Sequence, residues 1–359
     1  MNLHKRLFIP GPTEVFPDVL LQQAKPLIGH RPQEFTDLFV GIVDKLQKFH
    51  GSRQWPAVIT ASGTLFMDIT GRSLVQERAL CCVNGAFSQR YAATIQNCGK
   101  AVDVLDVPWG QAITPEMILE RLSSGDYDTL VVCHNETSTG VRNPIYDIGK
   151  AVKKEHPDII YAIDSVSAMG GDKVEPEKIG SDLIFTSTQK CFALPPGLAI
   201  GFVSEHALER AADVPHRGRY TDLKGIYDYY QKKQQTPSTP NVSLLYALDY
   251  QLDKMLEETQ EGRYQRHLSM AQWTRAWANK HFEMFPEKGY ESVTVSTIKN
   301  TLGKSITDLN KELATRGFMI SNGYGKQLKE KTFRIGHMGD WQLANVQEVC
   351  WHIEDIWGL

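Results

Sequence analysis

Between residues 56 and 203 the chain repeats one unit: a short apolar run, a polar turn and an amphipathic helix. Apolar runs stand at 56–60, 79–83, 101–105, 129–133, 159–163, 182–186 and 198–203. None alternates apolar with polar residues, so each reads as a strand buried on both faces. The intervening stretches at 65–75, 88–98 and 146–155, and one beginning at Thr114, carry helical patterning. Strands and helices in this order predict an α/β fold, a mostly parallel sheet covered by helices on both faces. In such sheets ligands bind beyond the carboxyl ends of the strands. Ser62, Asn84, Asn135, Asp164 and Lys190 occupy those ends here.

The alternation has flanks of a different character. Prolines at 10 and 12 make the first residues a rigid arm that resists helix, followed by helices over roughly 17–26 and 34–50. Residues 214–240 are polar and irregular, and long helices follow at 242–258 and 264–281. The tail reads as strand (292–296), helix (306–316), strand (318–321), strand (332–335) and helix (341–356), a small α+β unit. The expected division is an arm over 1–20, a large domain over 21–245 and a small C-terminal domain over 246–359.

Composition removes several classes of function. A net charge of −3 leaves no basic footprint for nucleic acid. No apolar stretch is long enough for a membrane span, and the first residues lack the apolar core of a secretory signal. A cytoplasmic protein is expected. Cys81, Cys82 and Cys133 lie in apolar runs and read as reduced core residues. No CxxC or HExxH motif occurs, so no metal site is expected.

Four features carry chemistry. Lys190 sits between two apolar runs, where an unpaired ammonium is costly. It is either a reactive amine of lowered pKa or a lysine whose head reaches water along its stem. Asp164 ends an apolar run. It either caps the next turn or holds a protonated ring nitrogen of a heterocyclic cofactor. Ser62-Gly63-Thr64, between strand and helix, suits a phosphate or an ordinary N-cap. Arg334, alone in an apolar run, suits a substrate carboxylate or a structural ion pair. No G-x-G-x-x-G or complete phosphate-loop motif is present.

In chain order, the segments Pro10-Gly11-Pro12-Thr13, Ala61-Ser62-Gly63-Thr64, His134-Asn135-Glu136-Thr137-Ser138-Thr139-Gly140, Asp164-Ser165-Val166-Ser167-Ala168-Met169-Gly170-Gly171, Ser187-Thr188-Gln189-Lys190 and Arg334-Ile335-Gly336 resemble those of class V pyridoxal 5′-phosphate-dependent aminotransferases. Within that class the chain is most similar to the alanine–glyoxylate and serine–pyruvate aminotransferases. The resemblance implies the fold-type I architecture and a homodimer with shared active sites. It implies that Lys190 forms a Schiff base (aldimine) with the cofactor and shuttles the substrate proton, and that Asp164 keeps the ring nitrogen protonated. Ser62, Gly63, Thr64, Thr137, Ser187 and Gln189 would contact the cofactor, with Thr239 reaching that of the other subunit. Phe87 would stack on the ring, where many relatives have tryptophan. Arg334 would bind the substrate carboxylate, and the arm at Gly11 would line the substrate site. The implied reaction is ping-pong transamination between a small amino acid, alanine or serine, and glyoxylate or pyruvate.

Other enzymes of the class are the alternatives. A desulfurase or lyase of the same fold is one; a desulfurase needs a mobile cysteine well after the lysine, and Cys350, in a helical stretch, is the only later one. A phosphoserine or aminophosphonate transaminase needs extra cations, for which His216, Arg217 and Arg219 are candidates.

Overall fold

The computed structural model describes residues 4–359. Its centre is a seven-stranded sheet in the order Trp55–Ile59, Ala199–Val203, Leu183–Ser187, Ile160–Asp164, Thr129–Cys133, Arg78–Val83, Ala101–Asp106. All strands run in one direction except Ala199–Val203, which is antiparallel to both neighbours. Each anticipated strand lies within a residue or so of its expected place. The interior pattern follows from the two-residue period of a strand. Leu80, Cys82, Leu130, Val132, Ile163 and Ile184 face one core, and Ala79, Cys81, Val131, Ala162, Leu183 and Phe185 face the other. Helices Gln33–His50 and Val242–Glu258 supply apolar side chains to the first core, and helix Ala86–Asn97 to the second.

The connections reverse direction at Arg78–Val83. From there the chain moves outward to Ala101–Asp106, then returns to Thr129–Cys133 on the other side. Such a reversal opens a crevice at the carboxyl ends of the strands. Asn84 to Phe87 and His134 to Glu136 emerge at that crevice.

The C-terminal part builds a second sheet, Glu283–Met284, Val295–Lys299, Thr332–Gly336 and Ser321–Asn322, all antiparallel. Its core joins Ile298, Phe333 and Ile335 to Trp277 and to Val346, Val349 and Ile353 of helix Leu343–Trp357.

Several boundaries depart from the sequence reading. The strand anticipated at 292–296 is Val295–Lys299, because Ser292 Oγ instead accepts from the Thr294 and Val295 N–H groups in a turn. The single strand expected over 318–321 is two. Phe318–Met319 pairs in parallel with Arg6–Leu7, and Ser321–Asn322 joins the C-terminal sheet. The chain changes sheets at Ile320, whose N–H donates to Asn310 Oδ1 at 3.2 Å. The segment 214–240 is not irregular throughout. It holds helix Leu223–Lys233, capped by Asp222, which accepts from the Gly225 N–H at 3.1 Å. Among the described residues no helix is long and apolar enough to cross a membrane.

Candidate active site

Lys190 lies three residues beyond strand Leu183–Ser187. Its stem is not spent on reaching water. Nζ donates to the Pro10 carbonyl at 2.5 Å, so the N-terminal arm covers the amine. The arm is itself pinned on both sides. The Thr13 N–H donates to the Gln189 carbonyl (2.9 Å), and the Gly336 N–H to the Phe8 carbonyl (2.8 Å). Gly11 passes so close that a Cβ there would sit 2.4 Å from Nζ, and its φ of +118° disfavours a side chain in any case. Burial pulls the Lys190 pKa from 10.5 to about 8. The charges of Arg334 and Arg90 add to that effect, and those of Cys191 and Asp164 oppose it.

Asp164 ends strand Ile160–Asp164, between Cys133 and Phe185 of the neighbouring strands. It is 5% exposed. One carboxylate oxygen accepts from the Val166 N–H at 2.9 Å, so it does serve the following turn. Burial raises its pKa to about 6, with Glu136 pushing the same way and Val166 N–H and Lys190 pulling back. Asp164 and Lys190 therefore feel each other's charge without forming an ion pair. The turn after Asp164 is braced from behind. His134 Nδ1 meets Ser165 Oγ (3.0 Å), and Nε2 meets the Asp172 carboxylate (3.2 Å), which also holds Arg142 Nε (2.7 Å).

The Ser62-Gly63-Thr64 turn opens helix Thr64–Ile69, and no side chain caps that helix. The capping alternative is thus not the one adopted. Gly63 is pressed against the other segments, since a Cβ there would lie 2.8 Å from Val166 Cγ2 and 3.4 Å from Ser187 Oγ. Ser187 Oγ and Gln189 Oε1 are buried without a hydrogen-bond partner. Thr137 Oγ1 donates to Ser167 Oγ at 2.7 Å, which leaves its lone pairs free to accept.

Arg334, in strand Thr332–Gly336, is 8% exposed. Among the described residues its guanidinium donates only to carbonyls, of Asn322 (3.2 Å) and Thr137 (3.2 Å), and makes no ion pair. Burial lowers its pKa to about 10, with Tyr324 and Glu136 partly offsetting. The ion-pair alternative for Arg334 is not borne out. Its guanidinium lies 5.4 Å from the Tyr324 ring centroid, and Tyr324 lies 5.1 Å from the Phe87 ring.

Thr239 stands apart from this cluster within the chain. It is exposed, and its hydroxyl is 3.5 Å from His30 Nε2. Arg217 is also spent elsewhere, on Asp222 (2.7 Å) and the Val214 carbonyl (2.5 Å).

Sequence reasoning passed over several members of the site. Glu136, fully buried, accepts from the Phe87 and Ser88 N–H groups and from the Ser88 and Ser138 hydroxyls. It thereby fixes the loop that presents Phe87. Its place inside a conspicuous polar segment at a strand end was the available signal. Arg90 and Tyr324 carried no local signal. Arg263 ties the carbonyls of Cys191 (2.6 Å) and Gly170 (2.7 Å), next to the lysine and aspartate segments.

The residues present fit pyridoxal 5′-phosphate. An unpartnered buried hydroxyl, Ser187 Oγ, and a glycine-lined turn suit a phosphate, Asp164 suits a cationic ring N–H, and Lys190 is an amine of lowered pKa. The comparisons with known proteins agree. A family model described as aminotransferase class V matches residues 30–330. An uncharacterized aminotransferase of Methanocaldococcus jannaschii is 40% identical over 340 residues, 93% of this chain and 88% of that protein. Alanine–glyoxylate aminotransferase 1 of Saccharomyces cerevisiae is 28% identical over 352 residues, covering 93% and 91%. The crystal structure of an alanine–glyoxylate aminotransferase from Nostoc superposes with a TM-score of 0.92 at 23% identity, over 99% of this chain and 95% of that one.

Proposed function

The chain belongs to the class V aminotransferases, pyridoxal-phosphate-dependent transaminases of the α/β type described above, and from that premise we propose what its residues do and on which substrates. The proposed reaction moves an amino group between a small amino acid, alanine or serine, and a small 2-oxo acid, glyoxylate or pyruvate. It is ping-pong: one substrate leaves before the other binds. The similarity to an alanine–glyoxylate aminotransferase supports the choice of substrates.

When bound, pyridoxal 5′-phosphate supplies a cationic ring that accepts the electron pair left when the substrate Cα–H bond breaks. Ser62, Gly63, Thr64, Ser187 and Gln189 would hold its phosphate, through N–H groups, hydroxyls and an amide. Asp164 would keep the ring nitrogen protonated, since a buried carboxylate without a cation in contact favours a charged N–H partner. Phe87 would stack on the ring. Thr137 would stay in contact range through the loop that Glu136 fixes. Thr239 would serve the site of a second subunit, in a homodimer. Residues 1–20, 21–245 and 246–359 would act as arm, large domain and small domain.

Lys190 carries the chemistry that belongs to the protein. An amine with a pKa of about 8 can take and return a proton near neutral pH, as a general base and then a general acid. Arg334 orients the substrate by its carboxylate, and a bidentate contact fixes which Cα bond faces Lys190. The arm at Gly11 closes the substrate side. Cys350 is fully buried within helix Leu343–Trp357, which weighs against a desulfurase.

The observation that carries this reading is the Lys190 amine, covered by the arm, without an ion pair among the described residues and within the field of Asp164. The test is a panel of amino acids assayed with glyoxylate and pyruvate. Alanine or serine should be turned over, with parallel double-reciprocal lines as the second substrate is varied. Intersecting lines, or no turnover of either amino acid, would refute the substrate and kinetic assignments.

A further inference from the structure

We infer that Arg90 is a second anion-reading group of this site, so that the site also takes dicarboxylic amino or oxo acids beside the small substrates proposed above. The inference rests on the transaminase reading above and deepens it.

Arg90 is on the helix Ala86–Asn97, one turn beyond Phe87. Its guanidinium lies 4.9 Å from the Phe87 ring centroid. Nη2 donates to the Tyr324 hydroxyl at 2.9 Å. The Tyr324 ring in turn lies against Phe87 and beneath Arg334. The two arginines thus share one phenol, Arg334 over its face and Arg90 at its hydroxyl. Among the described residues neither makes an ion pair, and Arg334 donates only to backbone carbonyls. The positive field of Arg90 reaches the reacting amine, since it contributes to lowering the Lys190 pKa.

An exposed arginine is ordinarily mobile and solvated. Arg90 is exposed but held, by an aromatic face on one side and a phenol on the other. That arrangement fixes a planar fork with most of its N–H donors still free. A fork of this kind matches a carboxylate in two-point contact. A substrate whose α-carboxylate rests on Arg334 presents any second carboxylate toward its own far end, where Arg90 stands across Tyr324. Small neutral substrates leave Arg90 to water, and dicarboxylic ones engage it. The basic loop at 216–219 is a weaker candidate for that duty, because Asp222 already neutralises Arg217.

The test uses the holoenzyme and two simple probes, succinate and propionate, titrated by calorimetry. The wild type should bind succinate about tenfold or more tightly than propionate, the scale of one charge-assisted contact. Arg90→Gln should reduce that advantage to about twofold, and Arg90→Lys should restore part of it. Arg334→Gln should weaken both probes. In turnover with glyoxylate, Arg90→Gln should lower kcat/KM for aspartate about tenfold more than for alanine, chiefly through KM. Equal binding of the two probes by the wild type, or an unchanged aspartate-to-alanine ratio in Arg90→Gln, overturns the assignment. If alanine is still turned over in that event, the transaminase reading stands and Arg90 alone is misassigned. A wild type that transaminates no amino acid at all refutes both.

Discussion

Arg263 and Arg334 are both buried, at 2% and 8% exposure, yet their surroundings differ in kind. Arg263 meets Asp340 at 2.8 Å and Glu258 at 2.9 Å, besides two backbone carbonyls. Around it Arg266 also binds Glu258, and Lys254 binds Asp18 and approaches Asp340. Burial alone would depress the Arg263 pKa, but its two carboxylates hold it above the usual value. Arg334 has no such neighbour, and burial lowers its pKa to about 10. Lys190 resembles Arg334 in this respect. One region compensates every buried charge internally, and the other leaves its cations without acidic contacts. The difference separates charges that hold the fold from charges kept ready for a ligand.

Substitutions can break that comparison. The largest expected effect is on stability: Arg263→Gln takes from Asp340 its nearest cation and from Glu258 one of two, and should cost about 3–5 kcal/mol in urea unfolding. Arg334→Gln should change unfolding by less than about 1 kcal/mol, because no carboxylate loses its partner. The same change should lower kcat/KM by about a hundredfold, the scale of a lost buried contact to a charged ligand. If Arg334→Gln proved the more destabilising of the two, the division between structural and functional cations would fail.

A smaller effect concerns pH. The folded pKa of Lys190 is about 8 and its ordinary value is 10.5. Between these values the unfolded chain holds a proton that the folded chain has released. Stability of the cofactor-free protein should therefore rise with pH across that window. Lys190→Met should remove that rise, which thermal unfolding at a series of pH values would read. The smallest effect sharpens the role of the arm. Gly11→Ala places a Cβ against Nζ at a φ of +118° and should lower turnover several-fold together with a fall of a few degrees in melting temperature.

Much of the large sheet was legible because fully buried strands leave uninterrupted apolar runs, and the groups that end them stand out. Lys190 and Asp164 were visible for that reason, and Arg334 as a lone cation among apolar residues. Helix Leu223–Lys233 was missed because it buries only Leu223 and Ile226 and stands between polar stretches rich in turn residues. Arg90 and Tyr324 lie far apart in sequence, on a helix flank and in a loop. Only the packing of the C-terminal sheet against the crevice brings them together, and no local pattern records that.

The division between the two regions rests on Lys190 as the amine that carries the cofactor. Borohydride reduction of the holoenzyme, followed by peptide mass mapping, tests it most directly. The account predicts a phosphopyridoxyl mass on the peptide bearing Lys190 and on no other lysine peptide. The same mass on a different lysine would contradict it.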